Sequence, residues 1–150
     1  MNPPSSHPAK EQWRVTNIGR LLNNAIKRFE SRILEEMERA GHEGFSLSHI
    51  TITRNLDLDG TRATELARRA GITKQSMGEL IVQLETNGII ERRPDPDDRR
   101  AKIILFTPKG EQWLNAFRAA LQTAEAEMQQ ELGAEAFGTL RDALLRYDQE

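Results

Sequence analysis

The chain of 150 residues contains no cysteine, which excludes structural disulfides, thiolate metal sites and thiol-based redox sensing. No apolar run approaches the roughly eighteen residues of a membrane span. The opening stretch from Met1 to Ala9, with Pro3, Pro4, Ser5, Ser6 and Pro8, lacks the apolar centre of a signal peptide. A cytoplasmic protein with a flexible tail over residues 1–10 and no membrane partner is expected. Histidine occurs only as His7, His42 and His49, and none of these shares the i, i+4 spacing of a helical zinc pair. A glycine-rich phosphate loop is also missing. The sequence therefore predicts no catalytic residues, no metal and no cofactor, and the enzyme class is set aside.

What remains is 37% hydrophobic and 29% charged residues, enough for one ordinary globular unit. The net charge of −2 conceals an asymmetry. From Arg62 to Lys102 nine cationic residues face seven acidic ones, whereas from Glu111 to Glu150 three arginines face eight acids. The middle of the chain is basic and its end is acidic, and the placement of charge matters more than its sum for a polyanionic partner.

Periodicity divides the chain into helices around a small hairpin. Ile18, Leu22, Ala25 or Ile26, Phe29, Ile33 and Met37 fall on one stripe of a helix from Trp13 to Ala40, stopped by Gly41 and Gly44. Such a helix exceeds about 35 Å and outruns what a small domain covers, so its stripe needs a partner. Leu47 to Leu58 alternates like a strand and ends in the hairpin signal Asp59-Gly60, yet a helix started by Ser46 or Ser48 serves the next unit better, and helix is the reading adopted. Glu65 to Ala70 forms a short helix ended by Gly71, and Thr73 caps a second one running to Asn87. The four-residue turn from Ala70 to Thr73 has helix-turn-helix spacing, with Ile72 plugging the angle. Ile89 to Phe106 is a two-stranded hairpin with a charged, proline-stiffened tip. Thr107-Pro108 opens a long helix with a seam of Leu114, Phe117, Leu121, Ala124 and Met128, and a last short helix follows Gly133.

This order presents one helix and one basic loop to a DNA duplex. The first turn of the second helix offers Thr73, Lys74, Gln75, Ser76 and Glu79 outward. Lys74 and the Thr73 hydroxyl suit phosphate at a helix N-terminus, Gln75 suits adenine, and Glu79 suits the cytosine amino group. At the hairpin tip Arg99, Arg100 and Lys102 cluster beside Pro94 and Pro96. An arginine there suits the narrow minor groove, and Asp98, two residues before Arg100, could aim its guanidinium through a bidentate pair.

The carriers of a wider resemblance are Thr64-Glu65-Leu66-Ala67, Gly71-Ile72-Thr73-Lys74-Gln75-Ser76, Leu84 to Arg92, Asp95-Pro96-Asp97-Asp98-Arg99-Arg100-Ala101 and Leu105-Phe106-Thr107-Pro108-Lys109-Gly110. Through them the chain, from about Thr16 to Tyr147, resembles the MarR family of bacterial transcriptional regulators. The resemblance implies a mainly α fold with a small β wing. A winged helix-turn-helix DNA-binding domain would span residues 46–106, and residues 11–45 and 107–150 would form a helical dimerisation region. It also implies a homodimer on a pseudo-palindromic operator in double-stranded DNA, with Arg100 in the minor groove. It further implies repression released by a small aromatic or anionic effector. Arg14, Arg20, Phe45, His49 and Trp113 are possible cleft residues for that effector, none favoured over the others. Gly78 and Glu79 depart from the serine and arginine common in the family. The competing reading is a winged-helix module that binds protein without reading DNA.

Overall fold

In the computed structural model, which describes residues 11–149, the single N-terminal helix expected from Trp13 to Ala40 is two: α1 (Trp13–Thr16) and α2 (Ile18–Arg39). Asn17 makes the break. Its backbone is extended, its Oδ1 accepts the Arg20 N–H at 3.0 Å, and its Nδ2 donates to the Trp13 carbonyl at 2.8 Å. One side chain thus caps the end of α1 and the start of α2, as short polar residues do where they compete with helical hydrogen bonds. The expected tail over residues 1–10 lies outside the described residues.

The ambiguous segment is helical, α3 (Leu47–Asn55). Its strand-like alternation arises because both Ile50 and Ile52 are fully buried, as α3 packs against α2, α4 (Ala63–Ala70) and α5 (Lys74–Thr86). The Asp59-Gly60 signal marks a turn and not a hairpin. Gly60, at φ +101°, leads into a two-residue strand, β1 (Thr61–Arg62). The sheet consequently has three strands where two were expected. It is antiparallel in the order β1-β3-β2, with β2 (Ile90–Pro94) and β3 (Lys102–Phe106) forming the hairpin. Thr61 pairs with Ile104, and Ile90 with Phe106. So short a strand carries no periodicity, and only its pairing with β3 reveals it.

Between α4 and α5 the turn has the expected form. Gly71 adopts φ +65°, and Thr73 Oγ1 accepts the Ser76 N–H at 3.1 Å to cap α5. Leu66, Met77, Ile81, Leu84, Ile89, Ile90 and Ile104 close the core beneath the two helices and the sheet.

The two long helices also differ from expectation in what they cover. On α6 (Pro108–Leu132) the buried side chains are Trp113, Ala120 and Ala124, while Leu114, Phe117 and Leu121 are half-buried beside them. This face lies against the second half of α2, where Ile33 and Met37 are buried. Two bidentate pairs, Arg28 with Glu131 and Arg32 with Glu127, flank the contact. The first half of the α2 stripe is bare: Ile18 is 73% exposed, and Leu21, Leu22 and Ile26 are exposed beside it. No residue of α7 (Ala134–Tyr147) is buried, and Leu144, Leu145 and Tyr147 stand open to solvent.

Candidate nucleic-acid interface

Helix α5 and the β2–β3 wing carry every residue expected to touch DNA. Thr73, Lys74, Gln75, Ser76 and Glu79 are all exposed on the first turns of α5. Thr73 is partly occupied, because its hydroxyl also donates to Ser76 Oγ at 3.0 Å. Lys74, Gln75, Gly78, Glu79, Val82 and Gln83 line an open trough together with Arg92 of β2. The outward face of the helix thus runs directly into the base of the wing. Arg92 is fixed there by a two-pronged contact with Glu85 of α5, at 2.9 and 3.0 Å, which also holds the Glu85 carboxyl below its ordinary value.

The cations divide by whether they are already spent. Arg68 and Arg69 both grip Glu65, whose pKa falls to about 2 chiefly through the Arg68 hydrogen bond, and Arg69 also pairs with Asp57. Arg93 pairs with Glu91. Among the cations from Arg62 to Lys102, only Lys74, Arg99, Arg100 and Lys102 enter no ion pair with the described residues. These four are the cations among the eight residues the sequence put forward as DNA contacts, and they stand exposed.

The wing tip is folded by carboxylates acting on backbone. Asp98 Oδ1 accepts the Arg100 N–H at 3.0 Å, and the Asp98 carbonyl accepts the Ala101 N–H at 2.9 Å. Asp98 therefore orients Arg100 through the main chain, where a grip on its guanidinium was anticipated. A second carboxylate of the tip does more. Asp95 is 3% exposed; it accepts the Asp97 N–H at 2.9 Å and Arg62 Nε of β1 at 2.5 Å. The Asp97 N–H, then Arg62, hold the Asp95 carboxyl below its ordinary value of 3.8. A depressed carboxylate contributes stability above its unfolded-state pKa and loses it as pH falls through the folded-state value. Wing order is accordingly expected to persist at neutral pH and to fail only in acid below 3.8. Asp95→Ala should produce the same loosening at neutral pH. Hydrogen exchange of the Asp97 amide reads this directly, and equal protection in both proteins would refute it.

The residues considered for an effector cleft separate. Phe45, His49 and Trp113 come together: Phe45 meets the His49 ring edge-on at 5.6 Å and the Trp113 ring at 5.7 Å, and Phe117 stacks on Trp113 at 5.5 Å. Arg14 and Arg20 are exposed on α1 and early α2. His49 is also a structural bridge. Its Nδ1 lies 2.9 Å from the Ser46 N–H, which fixes the tautomer so that Nε2–H donates to Gln83 Oε1 of α5 at 2.8 Å. No local signal joins residues 34 apart, so this link escaped the sequence reading.

The MarR family model matches residues 51–102, from within α3 to the first residue of β3. The chain is 28% identical over 99 residues to the transcriptional regulator HosA of Escherichia coli O111:H-, covering 64% of this chain and 73% of that protein. It is 25% identical over 128 residues to the HTH-type transcriptional repressor NicR of Pseudomonas putida, covering 83% and 80%. Among solved structures it is similar to the transcriptional repressor CouR bound to a 23-mer DNA duplex. That match has a TM-score of 0.73 and 23% identity and covers 95% of this chain and 99% of that one.

Proposed function

From the premise that this chain belongs to the MarR family of transcriptional regulators, we propose that it acts as a homodimeric repressor on a pseudo-palindromic operator. Helix α5 enters the major groove, Thr73, Lys74, Gln75, Ser76 and Glu79 make its contacts, and the wing carries Arg100 to the minor groove with Arg99 and Lys102 on phosphate. The observation that carries this reading is the partition of the cations. Between residues 62 and 102, Arg68 and Arg69 are consumed by Glu65 and Asp57, whereas Lys74, Arg99, Arg100 and Lys102 are exposed and, among the described residues, unpaired. The CouR complex adds a protein of the same fold seated on a duplex.

The dimer rests on the bare apolar surface. Ile18, Leu21, Leu22 and Ile26 of α2 and Leu144, Leu145 and Tyr147 of α7 make an exposed set larger than single scattered side chains, the mark of an interaction site. A second copy covering it would fix two α5 helices for half-sites about one turn, roughly 34–36 Å, apart. Release by a small aromatic or anionic effector is the finer part of the proposal. Its support is the His49–Gln83 bond, through which any shift of the Phe45–Trp113 cluster reaches α5.

Selection of duplexes from a random pool by the full chain, followed by salt titration of the enriched duplex, tests the function. Log affinity should fall steeply and linearly with log salt because phosphate contacts release counterions. Sedimentation at micromolar concentration should give twice the chain mass. Failure to enrich any sequence, or affinity indifferent to salt, would overturn DNA reading in favour of a protein-binding module.

A further inference from the structure

Four of this chain's glycines lie inside helices of more than ten residues without a left-handed backbone: Gly19 in the first turn of α2, where a Cβ would meet the capping Asn17 Oδ1 at 3.4 Å, Gly78 in α5, Gly110 in α6 and Gly138 in α7. Glycine is the poorest helix former after proline, so each position invites a reason. For Gly110 the reason is internal, since a Cβ would fall 2.0 Å from the Ile89 carbonyl oxygen. For Gly78 nothing inside the chain supplies one. Its φ is negative, it is not at the helix end, and an added Cβ would meet nothing within 4 Å. Gly138 shares that open space, and it lies on the helix assigned above to the second chain. The unexplained helical glycines thus sit on the two surfaces that face partners.

Position sharpens the point. Lys74 and Gln75 precede Gly78 by one helical turn and Val82 follows by one turn, so the three levels form a single strip on the outward face. Gly78 is the floor of the trough between Lys74, Gln75, Glu79, Val82 and Arg92. Val82 is an aliphatic side chain left 48% exposed at the same trough. A floor without a side chain, next to an exposed valine, fits an apolar protrusion from the groove. The major-groove edge offers one such group, the thymine 5-methyl.

Resting on the DNA-binding reading above, we infer that Gly78 is a specificity-determining residue: it admits a thymine methyl to the α5 backbone, held between Gly78 Cα and the Val82 side chain. Polar neighbours fix the register, and the missing Cβ decides that one base pair.

The experiment uses the duplex that the full-length wild-type chain enriches from a random pool, with each thymine of a half-site replaced in turn by deoxyuridine, which lacks only the methyl. Wild type should lose about fourfold in affinity at one position, the worth of one buried methyl group. Gly78→Ala should raise the melting temperature by about 2–4 °C, because the helix gains a better former, while binding the thymine duplex about tenfold more weakly. At the sensitive position the variant should prefer deoxyuridine, whose gap accommodates the alanine methyl. Equal affinity of Gly78→Ala and wild type for the thymine duplex would overturn the inference, as would a weakened variant with no reversal at any position. A fall in melting temperature would also overturn it, by showing that the space is filled from within the protein. If wild type enriches no duplex at all, the function itself fails, a result distinguishable from these.

Discussion

Arg100→Ala is expected to weaken binding to the enriched duplex by roughly 10- to 100-fold while leaving the melting temperature unchanged. The two halves of that expectation have separate causes. Within the chain the Arg100 side chain is exposed and enters no ion pair among the described residues, and the bond that Asp98 makes is to its backbone N–H, which alanine retains. Removing the guanidinium therefore disturbs no internal contact. On DNA the same group would lose a site where crowded phosphates concentrate negative potential and where a weakly hydrated planar cation is favoured over an ammonium. Arg100→Lys should accordingly recover only part of the loss. Arg99→Ala should lower affinity more evenly across sequences and reduce the salt slope by about one unit, as expected for a phosphate contact. Fluorescence anisotropy across a salt series measures all three, and operator affinity unchanged in Arg100→Ala would end the wing assignment.

The features that the sequence made legible are those with local causes. Thr73 before α5, Gly71 in the turn, Thr107-Pro108 opening α6 and Gly133 closing it all act through their own backbone or through bonds spanning a few residues. Their side-chain chemistry leaves little choice of conformation. The exposed cations of the wing were legible for a related reason, since two prolines and three aspartates mark a turn wherever they occur. The features that stayed hidden depend on partners far along the chain. β1 exists only because Thr61 and Arg62 find Ile104 and Ile103, and the importance of Asp95 appears only once Arg62 lies beside it. Trp113 was placed outside the predicted seam, yet it is the largest fully buried side chain, packed against the rings of Phe45 and Phe117. A regular heptad-like spacing could not decide this, as Trp113 and Leu114 are adjacent and either could face inward. Asn17 is the instructive exception among local signals. It is a good cap directly before Ile18, the first residue of the apolar stripe, and the helix read as continuous from Trp13 concealed it.

Gly110→Ala is expected to destabilise the fold by about 3 kcal/mol or more, the upper range for forcing a methyl into a packed site, and to lower the melting temperature by roughly 6–12 °C. The position is at the third residue of α6, where the helix start is bolted to the turn leaving α5. Thr107 makes the bolt: its hydroxyl donates to the Gly88 carbonyl, its N–H donates to the Ile89 carbonyl at 3.1 Å, and its Oγ1 accepts the Gly110 N–H at 3.0 Å. Gly110 then packs its bare Cα against that same Ile89 carbonyl. A Cβ would lie 2.0 Å from the oxygen and 3.2 Å from the Phe106 ring, and the nearer clash is with backbone held on both sides. Relief requires α6 to lift away, which breaks the Thr107 cap and draws Trp113, one turn further on, out of the core. The contrast with Gly78→Ala gives the prediction its discriminating power. The same chemical change, glycine to alanine within a helix, should raise the melting temperature at one position and lower it steeply at the other. Propensity alone would make both stabilising, so a Gly110→Ala protein that melts at or above wild type would show that α6 does not meet the α5–β2 turn in this way.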